Sequence, residues 1–292
     1  MAIDVFLSKP SSLNRVFIRA REAVEQPTDR IVLTAIFVSL FCLNYIAQLF
    51  DTAAGERLIF ATSRTVSGAE IIGFIAIAVV LKELGAQRVL RWWDFATISA
   101  LAVFLIHPWR SNAALALSLL GLLFIGRSNK QLASLGQLCL GLAWIDLWGP
   151  LVMGLIAQWL LPIETELARI PLSLFGSFSV VGNIILGENG HDLAVLEPCS
   201  AFRNTINMAF IWLALIKIMR LDFRARHFYI LALGLAVVVL LNTVRIGVMA
   251  YSYNQYVFWH LGPGLVIVKF AMLTIVLGLF YFGLSAKRGH AT

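Results

Sequence analysis

Charged residues are scarce in this chain: only 13% of its 292 residues are Asp, Glu, Lys or Arg, and 60% are hydrophobic. Soluble domains normally carry about 25% charged residues. The composition therefore excludes an ordinary soluble domain and predicts an all-α, polytopic membrane protein. A net charge of +7 does not indicate nucleic acid as a partner, because the basic residues are spread over short stretches between apolar runs. We expect them to orient the chain in a lipid bilayer.

Cysteine is also scarce, and the motifs of several membrane enzymes are absent. The three cysteines, Cys42, Cys139 and Cys199, are far apart and lack the spacing of metal ligands. The chain contains no His-Glu-x-x-His, no Gly-x-Ser-x-Gly, no paired-glutamate motif and no Asp-His-His-Cys. We therefore expect neither a metal nor a cofactor. Cys42 and Cys139 lie inside apolar runs, where a free cysteine is usually a small buried hydrophobe.

Apolar runs predict eight membrane-spanning helices, since about twenty apolar residues cross the hydrocarbon core. The fifth run is about thirty residues long and contains Pro150. It is either one tilted, kinked helix that continues into the next polar segment or a helix followed by a re-entrant piece. The predicted spans are 31–50, 69–86, 93–109, 112–126, 132–161, 199–219, 228–251 and 264–284.

The basic residues predict how these spans are oriented. Eight spans place both termini on one side of the membrane, and that side carries sixteen lysines and arginines against four on the other. Because basic residues concentrate on the cytoplasmic side, we expect cytoplasmic termini in a cell (inner or plasma) membrane. The chain then divides into an N-terminal segment 1–30, one transmembrane domain 31–285 and a tail 286–292. No cleavable signal peptide is expected.

The longest segment between predicted spans, about 162–198, is expected outside the cytoplasm. Residues 167–175 are typical of an interfacial helix, and residues 180–186 are interpreted as one short strand before the turn 187–190. This segment leads directly to Cys199. We expect the catalytic part of the chain to be about 162–285.

Cys199 stands where the polar segment gives way to the sixth apolar helix. A thiol in the first turn of a helix lies where backbone N–H groups and the helix dipole favour an anion. Arg203 follows four residues later, which is the same face of a helix. Because a cation inside an apolar helix is costly, the pair predicts an activated thiolate.

Two further residues are expected at the same membrane depth. Arg245 lies near the outer end of the seventh span, with Asn242 three residues before it, and His260 lies just before the eighth. Taken singly, Cys199 suits a structural role, His260 an interfacial one and Arg245 contact with lipid headgroups. Their convergence on one side favours a catalytic site.

The chemistry that these groups suit is acyl transfer at a thiol. The thiolate attacks a peptide carbonyl, and His260 takes the thiol proton and returns it to the leaving amine. Arg245 stabilises the oxyanion. Arg203 is expected to hold the thiolate or to orient a carboxylate of the site or substrate. Glu197 is close in sequence to the thiol and is a candidate to orient His260. His191 is a reserve candidate for the base.

These residues resemble the exosortase/archaeosortase family of membrane cysteine transpeptidases. That family has an acidic residue two before a Cys-Ser-Gly-(Leu/Ile)-Arg motif, then Asn-x-x-Arg-Ile in the next helix, then a His followed by a Gly before the last helix. The matching stretches here are 197–203 (EPCSAFR), 242–246 (NTVRI) and 260–262 (HLG). Their order and spacing agree with the family over roughly residues 190–285, and the eight-span plan extends the similarity.

The resemblance implies that Cys199 is the nucleophile and that Arg245 and His260 are its catalytic partners. It also implies secreted protein substrates with a C-terminal sorting signal, which consists of a short motif, an apolar helix and a basic tail. The acyl group would pass to a cell-surface glycolipid or polysaccharide. Ala201 and Phe202 replace the family's Gly and Leu or Ile. We expect the extra methyl of Ala201 to crowd a backbone that approaches the thiol, as in a divergent subgroup.

Two other functions remain open at this point. The same thiol suits an intramembrane protease that hydrolyses its substrate without transfer. Alternatively, Arg203, Arg245 and Lys269 suit a transporter or lipid-binding protein that holds an anionic headgroup. The last alternative predicts that Cys199→Ser is tolerated.

Overall fold

The protein is described here from a computed structural model, which describes residues 32–36, 67–84, 90, 94, 96–98, 100–101, 110–187 and 190–285. The predicted segments 1–30 and 286–292 lie outside these residues, as do nearly all of the first predicted span and most of the third. The eight-span topology and the cytoplasmic termini therefore stay predictions.

The described chain is predominantly helical, as expected. Helix α1 begins with a capping box, in which the Ser67 N–H donates to Glu70 Oε2 at 2.5 Å and the Glu70 N–H donates to Ser67 Oγ at 3.2 Å. Within the described residues, three helical stretches are long and apolar enough to cross a membrane: Lys130–Leu172, Ala225–Tyr251 and Pro263–Ser285. The helices are α1 Gly68–Leu84, α2 Arg110–Ile125, α3 Lys130–Ala143, α4 Gly149–Leu172, α5 Ala201–Ile218, α6 Ala225–Tyr251, α7 Tyr253–Tyr256 and α8 Pro263–Ser285.

The fifth predicted span is one continuous helical stretch, which decides between the two alternatives. Helices α3 and α4 are joined by the π-helical segment Trp144–Trp148 without a break. Pro150 lies inside this continuous stretch, directly after the π-helical segment, and both features are common sites of helix kinks. Of the interfacial helix predicted at 167–175, residues 167–172 are helical but form the end of α4, and residues 173–175 form a turn.

A small antiparallel sheet follows α4. Its strands are β1 Phe178–Val181, β2 Ile184–Gly187 and β3 Leu193–Ala194, in the order β1-β2-β3. The prediction of one strand over 180–186 is wrong, because the chain reverses at Gly182, whose φ of +61° suits glycine. Residues 188 and 189 of the predicted turn lie outside the described residues, and on either side of them the Gly190 N–H donates to Gly187 O at 3.2 Å.

Two hydrophobic clusters hold these elements together. The larger fills the helical bundle and contains side chains of α1, α2, α3, α5, α6 and α8. In it the Phe210 ring sits in a narrow slot, because a Cβ added to Gly73 or Gly141 would lie 2.6 or 2.4 Å from ring atoms. The smaller cluster joins the end of α4, the sheet and the end of α6, and includes Ile185, Val195 and Ile246. It lies directly beneath the candidate site.

Candidate active site

Cys199 ends a single turn of 3₁₀-helix, Glu197–Cys199, and does not belong to the helix that follows. Its N–H donates to Leu196 O at 2.9 Å. Ser200 is the N-cap of α5, and its hydroxyl accepts the Phe202 N–H at 3.2 Å. The expectation that the thiol lies in the first turn of the helix is therefore wrong: the chain changes direction at Ser200, one residue after the thiol.

His260 is the nearest polar partner of the thiol. Cys199 Sγ and His260 Nδ1 are 3.5 Å apart. The imidazole belongs to the π-helical segment Val257–Leu261 between α7 and α8. Tyr256 stacks on it with the ring centroids 5.0 Å apart and the planes 19° from parallel. Sequence analysis did not identify Tyr256, because the π turn in which His260 lies has no sequence signature of its own.

Arg245 and Asn242 are buried on one face of α6, and their side chains contact the segments that carry His260 and Cys199. Arg245 Nε donates to Trp259 O at 3.3 Å, next to His260, and Arg245 Nη1 lies 3.5 Å from Asn242 Oδ1. Asn242 Nδ2 donates to Cys199 O at 2.8 Å. These contacts connect α6 to the segments that carry the thiol and the imidazole.

Glu164 is part of the site, although sequence analysis missed it. Its side chain is almost fully buried in α4, and its Oε1 accepts hydrogen bonds from Asn242 Nδ2 at 3.0 Å and from the Ala201 N–H. No hydrogen bond to Oε2 occurs within the described residues. Its position in the sequence did not indicate a role in the site, because Glu164 lies just beyond the predicted fifth span, where a carboxylate is common.

The other candidates are Arg203, Glu197 and His191. Arg203 is half-buried in the first turn of α5, and the face it was expected to share with Cys199 does not exist because the helix begins after the thiol. No hydrogen bond joins the Glu197 carboxylate to His260 in the described chain. His191 is turned to α6, with its Nε2 3.2 Å from Met249 O.

The electrostatics favour a thiol and a neutral imidazole at rest. Burial raises the pKa of Cys199 above its ordinary value, and the charge of Glu164 adds to this, while Arg245 opposes it. Burial and the charge of Arg245 both lower the pKa of His260. The preformed thiolate expected from the sequence is therefore disfavoured in this structure, and the unprotonated imidazole is ready to accept a proton.

A cleft of about 310 Å³ opens beside the pair. Residues 193–196 form one wall, Ile246 and Met249 of α6 form another, and Tyr256 completes it. Ala201 is fully buried and does not line this cleft, so its methyl does not crowd an approaching backbone. The described residues hold no cluster of three or more His, Cys, Asp or Glu side chains that could bind a metal ion.

The fold and the site thus define a multi-pass membrane protein with a Cys–His pair at one end of a helical bundle. The family model described as transmembrane exosortase (Exosortase_EpsH) matches residues 62–277, and the chain belongs to this family. The resemblance seen in the three motifs is thereby confirmed. Neither the search of curated proteins nor that of solved structures finds a significant match.

Proposed function

We propose that the protein is a cysteine transpeptidase that cleaves the C-terminal sorting signals of secreted proteins. The observation that carries this proposal is the distance of 3.5 Å between Cys199 Sγ and His260 Nδ1. The cation of Arg245, anchored on the carbonyl that precedes His260, supports it. A nucleophile, a base and an oxyanion donor in one place are the requirements of acyl transfer at a thiol.

The first half-reaction forms a thioester. His260 Nδ1 takes the proton of the Cys199 thiol as the sulfur attacks the scissile carbonyl, and a C–S bond forms. Arg245 stabilises the negative oxygen. The tetrahedral intermediate then collapses, the C–N bond breaks, and the imidazolium returns its proton to the leaving amine. Because the thiol is protonated at rest, this base acts during the attack and not before it.

The second half-reaction releases the acyl group. A hydroxyl or amine of the acceptor enters the cleft and gives its proton to His260 as it attacks the thioester. The C–S bond breaks, and the sulfur leaves as a thiolate that takes the proton back from the imidazolium. We infer a cell-surface glycolipid or polysaccharide as the acceptor. If water enters instead, the product is the free acid, and the enzyme is a hydrolase.

Glu164 and Asn242 position the nucleophile in this mechanism. Asn242 holds the Cys199 carbonyl, and Glu164 holds both the Asn242 amide and the first N–H of α5. The segment that carries the thiol is therefore fixed from α4 and α6 at once. Such fixation matters because a thiol displaced by about 1 Å can lose a large part of the rate.

We infer that the site faces outward from the cell membrane. The distribution of basic residues supports this orientation. A membrane-impermeant maleimide added to intact cells is expected to label Cys199, and Cys199→Ser should abolish that labelling. Labelling that requires permeabilised cells would contradict the orientation.

Capture of the thioester tests the function. The purified protein in lipid vesicles is incubated with a synthetic sorting signal, quenched in acid and digested, and Cys199 is examined by mass spectrometry. We expect an acyl adduct on Cys199 that hydroxylamine releases. Cys199→Ala should abolish it, whereas Cys139→Ala, which changes a thiol buried in the bundle, should leave it unchanged. Normal processing of the sorting signal by Cys199→Ala would contradict the transpeptidase and the protease alternatives together.

A further inference from the structure

We propose that the edge of strand β3 and the cleft beside it bind the substrate segment that precedes the scissile bond as an added β-strand. This inference rests on the proposed function and names how that site recognises its substrate. The ligand is an extended peptide with an uncharged, apolar side chain directed into the cleft. The argument begins with the hydrogen bonds of the sheet.

The register of β3 leaves one edge of the sheet without a partner in the described chain. Ala194 faces Ile184, and Leu193 faces Ile185. The next residue, Val195, donates its N–H to Asn183 O at 2.8 Å and accepts from Asn183 Nδ2 at 2.9 Å. In an antiparallel ladder only alternate residues exchange hydrogen bonds with a given neighbour. The N–H and C=O of Ala194 therefore point away from β2.

This free edge runs directly into the nucleophile. Leu196 continues the extended conformation, with φ −108° and ψ 161°, and its carbonyl accepts the Cys199 N–H. Two residues of strand cover roughly 6.6 Å. A peptide paired with Ala194 would thus bring a carbonyl to the thiol within the next few residues. An exposed edge with unpaired N–H and C=O groups is the usual docking site for an extended peptide.

The cleft adds selectivity for the substrate side chain that enters it. Its walls contain Val195, Ile246 and Met249, and among the described residues no Asp, Glu, Lys or Arg lines it. The cleft is small and mostly apolar, which suits a single uncharged side chain of the substrate. A lipid acyl chain would fill the apolar part but leave the N–H and C=O of Ala194 unpaired, whereas a peptide satisfies both requirements.

The first test uses the unaltered enzyme and modified substrates. In a series of sorting peptides, each backbone amide of the four residues before the scissile bond is replaced in turn by an ester, which removes one N–H donor. We expect a loss of about two- to tenfold in kcat/KM at the position that donates to Ala194 O. The two neighbouring positions should change much less, because their N–H groups point away. Equal losses at all positions, or none, would overturn the inference.

The second test changes the protein. Ala194→Pro removes an N–H that β2 does not use, and proline is tolerated where a strand's N–H faces outward. We expect kcat/KM for the peptide to fall by about two- to tenfold, with an unchanged rate of Cys199 alkylation by iodoacetamide. An unchanged kcat/KM for Ala194→Pro, with normal Cys199 alkylation, would overturn the inference.

The outcomes separate this inference from the proposed function. If the wild-type enzyme forms no thioester, the proposed function fails. A thioester that forms with a flat ester profile leaves the function intact and removes only the strand. If Ala194→Pro also loses alkylation, the variant has disturbed the site, and the ester series on the wild-type enzyme decides.

Discussion

The two hydrophobic clusters of this protein are built differently. The larger one fills the bundle with apolar side chains and gains its density from glycines, two of which leave the slot for Phe210. The smaller one supports three buried polar side chains, Glu164, Asn242 and Arg245, whose hydrogen bonds meet around Cys199. Buried polar groups are costly unless they are hydrogen-bonded, and these three side chains bond to one another and to the backbone around Cys199 and His260. The bundle thus supplies a frame, and the polar network fixes the thiol.

The two cysteines in the described chain show the same contrast. Cys139 and Cys199 are both free thiols with little exposed surface. Cys139 is surrounded by the leucines of the bundle, including Leu135 and Leu138. Cys199 lies against His260 and borders the cleft. Because both thiols are buried, it is the imidazole and the cleft beside Cys199 that distinguish it from Cys139.

The largest expected effect is that of His260→Ala. Loss of the base should lower the single-turnover rate of thioester formation by about 100- to 10,000-fold. His227→Ala, near the opposite end of α6 from the site, is the control: His227 is buried, and its backbone carbonyl keeps the hydrogen bond from Trp212 Nε1. The control should keep its rate per folded molecule. Equal losses in both variants would mean that the site and the bundle do not act separately.

Arg245→Gln is expected to lower the same rate by about 100- to 1,000-fold, since it removes the oxyanion donor. It should also move the pH profile. Arg245 lowers the pKa of both His260 and Cys199, so its removal raises both. Protonation of His260 would then stop the reaction at a higher pH than in the wild type, and Cys199 alkylation would need a more alkaline solution. An acid limb that stays in place would contradict the assigned charge effect.

Variants of Glu164 test whether the polar network positions the thiol or only stabilises the fold. Glu164→Ala removes the acceptor shared by Ala201 and Asn242, and we expect a loss of about tenfold in kcat, corresponding to a lost buried hydrogen-bond partner. Glu164→Gln keeps an acceptor oxygen and should recover most of this rate. KM should change little in either variant. A purely structural role predicts lower yield of folded protein with unchanged kcat.

The smallest effect on the rate is expected from substitutions in the helical bundle. Gly141→Ala places a methyl against the Phe210 ring, which Gly73 confines from the other side, so the free energy of unfolding should fall by about 1–3 kcal/mol. Gly154→Ala is the control, since a Cβ there meets no atom within 4 Å. Melting in detergent should separate the two variants, while both keep the wild-type kcat. A fall in kcat for Gly141→Ala would mean that bundle packing also sets the site.

The sequence predicted most of the helices well, because hydrophobic runs are decided residue by residue. Helices α1, α2, α5, α6 and α8 begin and end within about three residues of the predicted spans. The strand prediction failed because two four-residue strands separated by a tight turn have the same composition as one longer strand. The fifth span was predicted to end at residue 161, next to a proline, because proline ordinarily ends a helix. In the structure α4 instead continues through Pro162 and Pro171 to Leu172.

The site was predicted in part. Cys199, Asn242, Arg245 and His260 were identified from their types and spacing, and the structure brings them together. Glu164 was missed because its partner Asn242 is 78 positions away in the chain, and no local pattern marks such a contact. The supporting roles of Arg203 and Glu197 were inferred from nearness in sequence to Cys199, and they stay predictions.

What the sequence determined by itself is the class of protein and the identity of its reactive groups: scarcity of charge requires a membrane, and three short motifs carry a thiol, a guanidinium and an imidazole. What only the tertiary structure decided is how these groups are held and charged. The break at Ser200 takes the thiol out of the helix, and burial keeps the thiol protonated. Glu164 reaches from α4 to the Ala201 N–H, two residues after the thiol. Burial and long-range hydrogen bonds depend on where distant segments meet, and a linear sequence does not specify that locally.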